Sequence, residues 1–196
     1  MGGSSGQFGQ VALGHALLAG CAVLYLAWWW IFFRPTTTSP AGALRAVGVA
    51  YIGGAAALGI GSVTVTLSAL GGLPSTRPTL PGAAIGVAGI AAYIALMFVT
   101  SGPLHRPVTT ELILIVGWPT MEVAVLAALW GTANVPAGAL AVLGVLVAVA
   151  FVSSLVCYVL YYSLAPWPSF VDGMIPLGSV GVISAVEAVV LMCQSV

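Results

Sequence analysis

The chain has no lysine, and charged residues of both signs together make up only 4% of its 196 positions. A soluble domain carries roughly a quarter. A surface this poor in charge cannot be solvated by water, so the composition fits hydrocarbon as the main solvent. Without lysine there is no Schiff-base chemistry. With a formal net charge of zero there is also no basic face for nucleic acid and no polybasic patch for anionic lipid. Nucleic acid is therefore excluded as an expected partner.

Cysteine is scarce as well. Cys21, Cys157 and Cys193 all lie in apolar runs, and neither CxxC nor Cys/His ligand spacing occurs. Disulfides staple exposed loops, so these cysteines read as small apolar filler and no metal site is assigned. GxSxG, Walker and HExxH patterns are also missing, which leaves the cofactor unassigned. Residues 1–10 are rich in Gly and Ser and lack the positive region of a signal peptide, so a short flexible tail is expected there. The closing Cys193-Gln194-Ser195-Val196 is a poor prenylation box, because its middle residues are not aliphatic.

What is present is apolar: 61% of residues are hydrophobic. A helix crosses the hydrocarbon core with about 20 apolar residues. Six stretches meet that length, near 11–33, 44–70, 82–101, 110–132, 137–163 and 170–194. The expected fold is an all-α integral membrane protein, a bundle of about six transmembrane helices with short loops, forming a single domain over 11–196. Proline marks the breaks, because it lacks the N–H that a helix interior needs. Pro35 and Pro40, the three prolines between Gly71 and Pro81, Pro103 and Pro107, Pro136, and Pro166 and Pro168 all fall between runs.

Arginine placement orients the chain. Arg34, Arg45 and Arg106 fall in or beside loops on one side, and Arg77 alone on the other. Positive residues favour the cytoplasmic side, so a multi-pass protein of the cell membrane with both termini outside is expected. The bilayer is the first partner. In lipid, helices associate through close packing and interhelical hydrogen bonds. Gly53, Ala57 and Gly61 recur every four residues on the second run, and offer a face for a neighbouring helix, a membrane partner or a second copy. Trp28, Trp29, Trp30, Trp130 and Trp167 lie at run ends, where an indole ring suits the headgroup level.

Ionisable groups inside a span are expensive and point to function. At about 1.5 Å of rise per residue, Glu122 lies ~17 Å and Glu187 ~23 Å from the cytoplasmic ends of their helices. His15 lies near the outer end of the first. These three are the leading candidates for a proton path or for catalysis. Arg34, Arg45, Arg106, Glu111 and Asp172 form an inner-face set that reads as interfacial pairing, with both acids at helix starts where the helix dipole favours them. At about 100° per residue, Glu111 and Glu122 point the same way, with Ile115 and Trp118 between them. Tyr158 shares a face of the fifth run with Ser154 and Tyr161. Pro119 and Pro176 accompany Glu122 and Glu187 on their helices, which suggests a locally irregular, polar interior.

Three functions fit these features. The leading one is a small-solute or ion/proton transport component, or a transporter's substrate-binding component, with Glu122 and Glu187 as the responsive groups and His15 as shuttle. A small molecule or ion is then the ligand. The second is an intramembrane enzyme acting on a lipid or isoprenoid, with Glu122 as general acid or base. The third is a non-catalytic assembly subunit that docks through Gly53, Ala57 and Gly61.

Overall fold

The computed structural model describes residues 3–35, 38–39, 41–105 and 110–195. Six α-helices follow one another: α1 (Gly3–Phe33), α2 (Gly42–Leu70), α3 (Gly82–Ser101), α4 (Thr110–Thr132), α5 (Ala137–Leu160) and α6 (Pro166–Ser195). A 3₁₀ turn, Tyr161–Ser163, follows α5. No strand occurs among the described residues. Helices are what hydrocarbon demands, since each satisfies its own backbone groups. All six are long and apolar enough to cross a membrane. Their large side chains also face outward: Ile60, Val87 and Phe98 are each about two-thirds exposed or more. The chain is a multi-pass, all-α membrane protein.

Two helix starts lie earlier than the apolar windows placed them. Helix α1 begins at Gly3 rather than near residue 11, and its first turns are held by contact, with Phe8 buried and Gln7 against Gly72 at the end of α2. Helix α6 begins at Pro166 rather than near residue 170. Pro166 and Pro168 do not break it, because the first-turn N–H groups of a helix have no intrahelical acceptor and proline there loses nothing. Pro119 and Pro176 lie inside helices.

The residues group into two compact units, Met1–Gly72 with Leu160–Val196, and Leu73–Val159. In the first, α1 packs on both α2 and α6. Against α2, its large side chains seat over small ones. Leu24 lies 3.0 Å from the position a Gly54 Cβ would take, Leu17 lies 3.7 Å from that of Gly61, and Phe32 fills the space beside Gly48. The buried residues of α2 are Gly48, Ala55, Ser62, Thr66 and Ala69, of which Gly48, Ala55, Ser62 and Ala69 form a seven-residue repeat. Two residues at about 100° each put Ala55 nearly opposite Gly53. Gly53 and Ala57 accordingly stay exposed, with no atom within 4 Å of a Gly53 Cβ.

Against α6, α1 presents Phe8, His15, Ala22 and Trp29, again seven apart and all buried. Trp29 lies against Gly173 and donates its indole N–H to the Phe170 carbonyl at 3.1 Å. Ala22 lies 3.0 Å from the position of a Gly181 Cβ. The three consecutive tryptophans thus have separate tasks. Trp29 is a packed anchor, Trp28 meets Tyr25 and Phe33 edge-on and Phe32 at a tilt, and Trp30 is exposed beneath the Arg34 guanidinium at 4.8 Å.

In the second unit, α3 packs on α4, where Gly89 makes room for Thr120. The turn before α3 caps the C-terminal end of α4. The Thr76 and Arg77 amides donate to the Gly131 carbonyl at 2.8 and 3.2 Å, and Arg77 lies over the Trp130 ring. This satisfies one of the carbonyls that a helix end leaves free. Helix α5 buries Leu140, Leu143, Val147, Ala150, Ser154, Cys157 and Tyr158, one stripe at helical spacing.

Candidate functional site

The seven-residue spacing that buries Trp29 and Ala22 on α1 also buries His15. With no alternative on that line, the imidazole is carried into the α1–α6 seam, where α6 brings Glu187. Nε2 of His15 lies 2.9 Å from Oε2 of Glu187, and the two side chains are 0% and 3% exposed. On the other side of the ring, Nδ1 lies 2.8 Å from the Val11 carbonyl one turn back. A carbonyl can only accept, so Nδ1 carries a hydrogen and donates it. That fixes the tautomer, and the short Nε2–Oε2 contact then needs one further proton. The proton lies either on the ring, giving imidazolium and carboxylate, or on the carboxyl, giving two neutral groups. Either way the pair is neutral overall and holds one transferable proton inside an apolar unit. The orienting carbonyl does for this histidine what second partners do for catalytic ones.

Glu122 lies in the other unit and is fully buried on α4. It has Trp118 one turn before it, whose indole Nε1 is buried with no hydrogen-bond partner among the described residues. Pro119 lies between them and supplies no N–H, so the helical partner of the Ile115 carbonyl is missing. Thr120 bonds back to the Val116 carbonyl at 2.7 Å. The stretch 115–122 is therefore the polar part of α4.

The remaining candidates spread out. Glu111 points along the same helix direction as Glu122 but is exposed in the first turn of α4, so the two share a direction and not a depth. Asp172 is buried near the start of α6 and lines an open groove with Trp167, Val171 and Ile175. Tyr158 is buried on α5 in the second unit. Arg106 lies outside the described residues. Of the sequence candidates within the first unit, the structure brings together His15 and Glu187.

Sequence reasoning passed over Ser62 and Thr66, both fully buried on α2 against Gly14 of α1. The signal for them is the repeat Gly48, Ala55, Ser62, Ala69, which marks the packed face more truly than the Gly53 stripe. No family model, curated protein or solved structure matches the chain.

Proposed function

We propose that the chain is a transport component of the cell membrane that moves a proton, or a small solute or ion coupled to one, with His15 and Glu187 as the proton-holding pair and Glu122 as a second responsive carboxyl. The observation that carries this reading is the buried His15–Glu187 contact with its tautomer set by Val11. Ionisable groups are costly in hydrocarbon, and hydrogen bonding alone could be met by serine or asparagine. A pair that keeps one proton between two bases adds what those residues cannot, a proton that can leave and return without a net charge on the resting state. The arginine distribution supports the orientation, with Arg34, Arg45 and Arg106 inside and both termini outside.

The test is flux in proteoliposomes carrying an internal pH-sensitive dye. An imposed pH gradient should collapse faster with the wild-type protein than with empty vesicles. Glu187→Gln and Glu122→Gln should each reduce that rate at least tenfold while the protein still purifies as a folded species. Wild-type rates in both variants would sink the reading.

A further inference from the structure

The first turns of α6 carry an open groove of about 460 Å³, lined by Leu164, Trp167, Pro168, Val171, Asp172 and Ile175. Ligand sites run from about 300 to 1,000 Å³, so the space suits a small molecule or a lipid headgroup. The lining follows from helical spacing. Pro168, Val171 and Ile175 recur at three and four residues and share one side of α6. That side faces outward, with Val171 53% and Ile175 45% exposed.

One lining residue differs from the rest. Asp172 is only 8% exposed and is the single charged side chain of the groove. No arginine lines it, and the chain has no lysine. Trp167 is 44% exposed and packs edge-on against Phe170 at 5.8 Å between ring centroids, which holds its ring beside the groove. Depth places both residues. The 30 residues of α6 span about 45 Å, against a hydrocarbon core of about 30 Å. Centred in the bilayer, the helix keeps Trp167 at headgroup level, where indole rings concentrate. Asp172, about 9 Å from the helix start, then lies near the hydrocarbon boundary.

An acid among apolar walls calls for a cation, and the walls decide which kind. A divalent metal wants about six to eight oxygen ligands, and the lining offers one carboxylate. A soluble amine leaves Val171 and Ile175 without a role. A lipid ammonium uses the whole groove. Its N–H groups donate to the carboxylate, its charge suits the face of an indole, and its chain continues along the apolar wall. An ionised carboxylate has about four lone-pair sites, so the ammonium adds to whatever Asp172 binds within the protein. We propose that this groove binds a phospholipid with a primary-amine headgroup, its ammonium on Asp172 and Trp167 and its acyl chain starting along Val171 and Ile175. The site does not depend on the transport reading.

The test is native mass spectrometry of the full chain in detergent, with phosphatidylethanolamine, phosphatidylcholine and phosphatidylglycerol of identical acyl chains added in turn. The wild type should retain the ethanolamine lipid in preference to the other two. Asp172→Asn should lower that preference about tenfold, the scale of a hydrogen bond to a charged group. Trp167→Leu should lower it about threefold, the scale of an exposed cation–π contact. Val171→Trp fills the groove from an exposed position, leaves the acid in place, and should abolish retention; it decides the matter if Asp172→Asn does not fold. Equal retention of all three lipids, or an unchanged preference in Asp172→Asn or Val171→Trp, would overturn the site. Equal retention of the choline and ethanolamine lipids alone would overturn the primary-amine assignment. Displacement of the lipid by an equal concentration of free ethanolamine would overturn the lipid as the occupant.

Discussion

Substituting His15 and Glu187 by leucine, singly and together, separates what the pair does for stability from what it does for function. Each single substitution leaves one polar group buried at the α1–α6 seam with its partner gone, since the side chains are 0% and 3% exposed. In water-soluble proteins, removing one member of a buried ion pair costs about 3–5 kcal/mol. Between membrane helices the same kind of contact averages about 0.6 and reaches about 1.7 kcal/mol, because the unfolded state in lipid also finds partners. The second scale applies here, and a short, fully buried contact with a second ring bond to Val11 belongs at its upper end. Each single variant should therefore lose about 1–2 kcal/mol, a factor of about 5–30 in the folded-to-unfolded ratio. The double variant removes both members of this contact. Replacing both partners with apolar side chains of similar size is often neutral or better, so it should return to within about 1 kcal/mol of wild type. The assay is unfolding in mixed SDS micelles followed by circular dichroism, read as a double-mutant cycle. Additive losses would show that the two groups do not interact, and would refute the pairing. The functional half of the same experiment is sharper: the stable double variant should carry no proton flux.

The packing makes three further predictions. Gly173→Ala puts a methyl into the Trp29 ring and should cost about 1–3 kcal/mol by overpacking, whereas Trp29→Phe should lose about 1 kcal/mol with the Phe170 hydrogen bond; equal stability of Gly173→Ala and wild type in SDS unfolding would contradict the seam. Gly14→Leu should prevent α1–α2 packing while Gly53→Leu leaves the folded monomer unchanged by the same assay, because Thr66 occupies the space at Gly14 and nothing lies within 4 Å at Gly53. Gly89→Val should destabilise through Thr120 in the second unit, and Thr120→Ala on that background should recover part of the loss, a rescue read as a shift in thermal midpoint.

The helices were legible because hydrocarbon imposes one length and one backbone solution on all of them. The windows near 82–101 and 110–132 coincide with α3 and α4. The ends went astray where the punctuation rule ignores position: Pro166 and Pro168 are breakers in a helix interior and harmless in a first turn. The ionisable residues inside the apolar runs were legible too, and His15, Glu122 and Glu187 are all buried. Rotation was harder to read. Two small-residue stripes run along α2, and residue type does not say which one meets a helix; α1 covers the side that buries Gly48, Ala55, Ser62 and Ala69, where Leu17, Leu24 and Phe32 seat over glycines. The His15–Glu187 contact depends on α1 and α6 being neighbours. No spacing within either helix encodes that, although the repeat of Phe8, His15, Ala22 and Trp29 shows that His15 belongs to a packed face.

The central claim, that the buried pair is a working proton carrier, is tested most directly by pH-jump currents on a solid-supported membrane, comparing wild type with the His15→Leu, Glu187→Leu double variant. The account predicts a transient charge movement in the wild type that the folded double variant lacks. Identical currents from the two proteins would contradict it and leave the pair as interhelical adhesive alone.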